Sequence, residues 1–167
     1  METNIDPCWL TEAKRHLGLV EIKGVEHAPE ILAFWKAVKM GGIKDDETPW
    51  CASFAGACFE ACGIKSARSG WAKAYLNWGS TLPYPIYGCL GVFSRKGGGG
   101  HVGFVVGVDD RERLMVLGGN QNNKVSIAPF NKDRLLCYRW PKQIAIPSNN
   151  QPLPMLVSSE QSSNNEA

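Results

Sequence analysis

Apolar residues recur at helical spacing through the first part of the chain and change to strand alternation after about Pro83. Over 7–18, Trp9, Leu10, Ala13 and Leu17 fall on one side of a short amphipathic helix. Gly24 to Ala28 reads as a turn. Pro29 opens a second helix to about Met40, with Ile31, Leu32, Trp35 and Val38 inward and Gly41-Gly42 as its stop. A third begins at Thr48-Pro49: a hydroxyl that accepts from a first-turn amide, then a proline whose missing N–H costs nothing there. Cys51, Phe54, Ala55, Cys58, Phe59 and Cys62 follow at helical spacing, and Gly63 ends the run. One more helix is predicted over 71–78, closed by Gly79.

Strand patterns come next, over 89–94, 101–108, 113–118, 125–130 and 135–138. Lys96-Gly97-Gly98-Gly99-Gly100 and Asp109-Asp110-Arg111-Glu112 are the first two connections, and the order suggests an antiparallel meander. Helices first and strands afterwards predict an α+β architecture rather than alternating βαβ units. A single domain over 1–146 is expected, followed by a disordered tail, because the residues from 147 onward are Ser, Asn, Gln and Pro with few anchors.

Composition narrows the picture by exclusion. A formal charge of +2, with no Lys/Arg run, gives no argument for a nucleic-acid partner. No apolar run approaches the ~20 residues that span a bilayer, so membrane insertion is not expected. The acidic start, Met1-Glu2-Thr3-Asn4-Ile5-Asp6, lacks a secretory signal, which predicts synthesis in the cytoplasm and export by another route. Cys8, Cys51, Cys58, Cys62, Cys89 and Cys137 form no metal signature, so neither a metal nor another cofactor is expected. Most of them read as core fillers in a reducing compartment, with a pair among Cys8, Cys89 and Cys137 left open for an oxidising one.

Candidate chemistry centres on Cys51. A first-turn cysteine meets unpaired amides and the positive end of the helix dipole, and both favour the thiolate, which is the nucleophile. The competing reading is a small buried apolar residue. A cysteine nucleophile needs a base and a group that orients the base. His16 and His27 sit among charged neighbours in the helical part, whereas His101 opens a strand whose same-side positions include Gly103 and Gly107. If the hairpin turns over 109–112, His101 lies opposite Asn120, with Cβ atoms ~4.5–5.5 Å apart. The Asn120 amide oxygen would then accept the imidazole N–H, and Gln121 would face the other way. One bulged residue would break that register. The rival reading of Asn120 is a turn residue within Gly118-Gly119-Asn120-Gln121-Asn122-Asn123.

Pro49-Trp50-Cys51-Ala52-Ser53-Phe54, Gly100-His101-Val102-Gly103-Phe104 and Leu117-Gly118-Gly119-Asn120-Gln121 resemble the blocks of papain-like cell-wall peptidases of the NlpC-type and CHAP superfamily. The resemblance covers roughly residues 8–141. It implies a papain-like NlpC/CHAP fold, with the nucleophile helix on an antiparallel sheet, and a site in which Cys51 is nucleophile, His101 base and Asn120 orienter. The Cys51 N–H would serve the oxyanion hole. Two departures stand out: Tyr87-Gly88-Cys89 replaces a common Pro-Gly-Asp, and Gly118 stands where CHAP members often carry Glu.

The resemblance further implies hydrolysis of a stem-peptide amide in peptidoglycan, by an endopeptidase or an N-acetylmuramoyl-L-alanine amidase. Trp50, Trp71 and Gly100 are the expected substrate contacts, with Trp78 and Tyr84 as further aromatic candidates, all along one open groove. With no wall-binding repeat in view a catalytic domain alone is expected, and the lack of a secretory signal predicts delivery as a phage lysin or as a type VI secretion effector. An effector would bring an immunity protein as partner. An acyltransferase and a non-catalytic wall-binding module are the alternatives.

Overall fold

The computed structural model describes residues 4–22, 27–40, 49–148 and 151–157. Gly24 to Glu26 of the first predicted turn, the Gly41-Gly42 stop and the Thr48 hydroxyl lie outside them.

Among the described residues, three α-helices precede the sheet: α1 (Cys8–Arg15), α2 (Pro29–Ala37) and α3 (Cys51–Ala61). Pro29 occupies the first turn of α2, where its fixed φ suits the helix. Lys14 and Arg15 close α1 at the negative end of its dipole. Trp9, Leu10 and Ala13 are buried as the spacing predicts, but Leu17 lies past the end of α1 and is 44% exposed. The helix predicted over 71–78 forms as a 3-10 helix, Ala72–Asn77.

α3 is the central element. Phe34 of α2 meets Phe54 edge-on at 5.3 Å, Trp9 of α1 meets Phe59 at 5.6 Å, and Phe59 meets Phe104 of the sheet at 5.5 Å. Edge-to-face ring pairs at such spacings contribute beyond their buried area. A disulfide, Cys8–Cys62, ties the first residue of α1 to the cap at the far end of α3. It corrects the expectation of reduced core fillers, and neither of its partners is explained by local spacing: the cysteines are 54 residues apart.

Six strands follow among the described residues: β1 (Ser80–Leu82), β2 (Leu90–Ser94), β3 (Gly100–Val108), β4 (Leu114–Gln121), β5 (Lys124–Phe130) and β6 (Leu135–Trp140). The pairings between these strands are antiparallel, in the order β1-β6-β2-β3-β4-β5. The predicted meander therefore holds from β2 to β5. β6 then crosses back to pair with β2, and the short β1, absent from the sequence reading, lies beyond it. The architecture is α+β, as the pattern predicts.

Two irregularities in β4 pairing matter for the site. At the hairpin Val108 pairs with Leu114, one position from the predicted register, and a bulge between Val105 and Gly107 takes up the difference. Val105–Val116 and Phe104–Leu117 then stand in the predicted register. The second irregularity lies between Gly118 and Gln121 against β5, where Asn120 takes φ +59°. Asn tolerates this left-handed conformation better than most residues, and the extra residue reverses which side the following side chain faces.

Residues 151–157 are not part of a disordered tail. The N–H of Val108 donates to the Pro154 carbonyl at 2.9 Å, and the Leu156 N–H donates to the Val108 carbonyl at 2.8 Å. Pro154 and Leu156 thus flank the end of β3, one backbone group of each satisfied there.

Candidate active site

His101 stands near the start of β3, paired across the strand with Phe93 of β2. Alternation along the strand sends Val102 and Phe104 toward α3 and the imidazole to the opposite side. There it stacks on Phe130 of β5, centroids 5.0 Å apart and planes within 8°. The ring is fully buried.

His101 Nε2 lies 2.9 Å from Oε1 of Gln121. The register drawn from sequence assigned that place to Asn120 and turned Gln121 away; the bulge at Asn120 inverts the assignment. Gln121 Nε2 donates to the carbonyls of Val116 (3.2 Å) and Ser126 (2.9 Å) and bonds Ser126 Oγ at 3.1 Å. Carbonyls only accept, so these bonds fix which end of the amide faces the histidine.

Gly118 is part of the same arrangement. A Cβ there would come within 3.2 Å of His101 Nε2 and would fall on Gln121 Oε1. The carboxamide of Gln121 occupies room that a side chain at 118 would claim. On the other side of the strand, a Cβ at Gly119 would meet Phe54 Cβ at 2.7 Å and Trp50 at 2.8 Å. Two successive glycines thus let the imidazole approach one side of β4 and the start of α3 approach the other.

Cys51 is the first residue of α3 and 4% exposed. Its turn carries no acidic side chain, and Ser53 Oγ donates back to the Trp50 carbonyl at 3.0 Å. The positive end of the helix dipole therefore acts on the sulfur without an acidic side chain in that turn. The other buried free thiols differ. Burial pushes Cys58 up, with Glu12 adding to it, and burial pushes Cys89 up to about 12 even against nearby backbone donors. Both stay protonated and inert at neutral pH.

The remaining expected contacts separate. Trp50 is fully buried, tilted against Phe34 at 6.3 Å, so it is a core residue and not a groove wall. Gly100 is buried too: what comes close to it is the Lys73 stem, with Cγ 3.0 Å from the position of an added Cβ. Trp78 packs on Phe59 at 4.5 Å and donates to the Lys65 carbonyl. Trp71 is 60% exposed and Tyr84 about half exposed, which leaves these two as surface aromatics. Cys51, His101, Asn120 and Gln121 are all buried, so the expected open groove is closed over them.

Sequence reasoning missed Gln121 because strict alternation hides a side chain that follows a bulge. The signal was the Gly-Gly-Asn run itself, where Asn supplies a left-handed residue. Among the described residues, no group of three or more His, Cys, Asp or Glu is placed to hold a metal, and no helix is long and apolar enough to cross a membrane.

No curated protein matches the chain. Residues 43–120, which hold the α3 start, His101 and the Gly118-Gly119-Asn120 strand end, match the family model of the CHAP domain. The match spans a little under half of the chain and is consistent with a member of the CHAP and NlpC-type cell-wall peptidase superfamily, a likeness that suggests peptidoglycan hydrolysis in general terms.

Proposed function

We propose that the protein cleaves an amide bond in the peptide part of peptidoglycan through a Cys51 thiolate. The observation that carries this reading is Cys51 at the first position of α3, inside the stretch that matches the CHAP domain. His101, oriented by Gln121, stands across the thin strand end at Gly118-Gly119, and the reading requires the two to meet at one substrate carbonyl. His101 takes the Cys51 thiol proton; the thiolate attacks the carbonyl carbon, and the displaced electron pair goes to oxygen, where the Cys51 N–H stabilises it. Collapse expels the amine, which takes its proton from His101, and leaves a thioester. Water then attacks the thioester while His101 takes a proton from it, releasing the carboxylic acid and restoring the thiol and imidazole.

The closed site means that substrate entry displaces some of what covers the sulfur. Trp71, exposed and adjoining the 3-10 helix whose Lys73 reaches Gly98, is the aromatic proposed to meet the polymer. The Cys8–Cys62 bridge supports action in an oxidising place such as the periplasm, since disulfides persist there and not in a reducing cytosol. Delivery as a lysin or as an injected effector satisfies that condition equally, and an inhibitor protein covering the site belongs to the second. Mass spectrometry of fragments released from purified sacculi tests the proposal. New amino termini within the stem peptide identify an endopeptidase; free lactyl groups on the sugar identify an amidase. Glycan cleavage alone would refute an amide hydrolase.

A further inference from the structure

We propose that Gln121, one residue past the stretch that matches the CHAP domain, is the positioning residue of His101 and sets its tautomer. This rests on the reading of His101 as the base, but its first test does not. Its amide is held by the carbonyls of Val116 and Ser126, which can only accept, so Nε2 of Gln121 must face them and Oε1 must face the ring. Oε1 in turn can only accept, so the proton of the neutral imidazole resides on its Nε2, 2.9 Å away. Nδ1 is thereby the basic nitrogen. The Phe130 ring, parallel to the imidazole at 5.0 Å, holds the plane in which that nitrogen points.

The arrangement also accounts for Gly118. A side chain at 118 would overlap Gln121 Oε1, so a carboxylate at 118 and the observed Gln121 conformation exclude each other. The chain orients its histidine from 121, by a neutral carboxamide, where a residue at 118 would orient it by a charge. A neutral acceptor fixes the tautomer without adding the attraction by which a carboxylate raises an imidazole pKa.

The test is the long-range nitrogen–proton NMR correlation of protein labelled with 15N-histidine; with three histidines the ring signals are assignable by one substitution each. Above its titration, wild-type His101 is expected as the Nε2–H tautomer; the Nδ1–H tautomer would overturn the proposal. Gln121→Met, close in size but without an acceptor, should give mixed tautomers and about a 10–100-fold loss in kcat on peptidoglycan with little change in KM. An unchanged tautomer with full turnover would overturn it. Gln121→Glu restores an acceptor and should keep Nε2–H while moving the ring's titration to higher pH; no shift would contradict direct contact with the ring. Should Gln121→Met fail to fold, the wild-type tautomer and the Gln121→Glu shift still decide. Activity that survives Cys51→Ala would fail the reading of Cys51 as nucleophile while leaving the tautomer result standing.

Discussion

The two ends of α3 are built on opposite principles. At its C-terminal end everything is fastened. Cys62 is bonded covalently to Cys8, and Glu60 accepts from the Ser66 N–H and Oγ and from Arg68 Nε. Trp9, Trp78 and Phe104 surround Phe59. At its N-terminal end no side chain among the described residues caps the helix, Gly119 borders it, and the adjoining strand bends through a left-handed asparagine. One end supplies stability and the other supplies a position. A nucleophile at a helix start must stay accessible to free amides, and capping side chains would consume those amides. The far end can be anchored without interfering.

Damage at the two ends should therefore separate into chemistry and stability. His101→Ala is expected to lower turnover of peptidoglycan by about 10³-fold or more with the melting temperature nearly unchanged, as read by dye release and by circular dichroism. Asn120→Val forces a β-branched residue into the left-handed region at a cost of about 1–2 kcal/mol. It should also swing Gln121 from the ring, so kcat falls by more than that loss of stability explains. At the other end, Cys8→Ser with Cys62→Ser, or mild reduction, is expected to cost roughly 2–4 kcal/mol and to lower the melting temperature by roughly 5–15 °C. The rate at room temperature should hardly change.

Glu60 gives the smallest effect. Burial raises its carboxyl, but hydrogen bonds from Arg68 and Ser66 and the Arg68 charge outweigh this and bring it down to about 2. A carboxyl depressed on folding contributes stability that is fully present above its unfolded value. That stability is lost as pH falls through the folded one. Thermal melts of the wild type should thus lose stability between about pH 4.5 and pH 2, and Glu60→Gln should show less of that loss. Equal pH dependence of the two proteins would remove Glu60 from the anchor.

The same contrast governs what could be read from the chain. Helical spacing, strand alternation and the position of Cys51 are local properties, and α1 to α3 and β2 to β5 follow from them within a few residues. The Cys8–Cys62 bridge joins residues that only the finished packing brings together, so counting cysteines left it open and favoured other partners. β6 returns to β2 because Val92 and Leu90 need a second neighbour, a demand of the sheet rather than of residues 135–140. Trp50 carries no mark that distinguishes a core ring from a groove wall. Gln121 was hidden by a single inserted residue, since period-two reasoning assigns every later side chain to the wrong face once a bulge intervenes.

The central claim is that the sulfur at the start of α3 does the chemistry. Wild type and Cys51→Ala, both folded with the Cys8–Cys62 bridge intact, are compared for release of soluble fragments from the same purified sacculi. The account predicts steady release by the wild type and none above background by Cys51→Ala; equal release by both would contradict it.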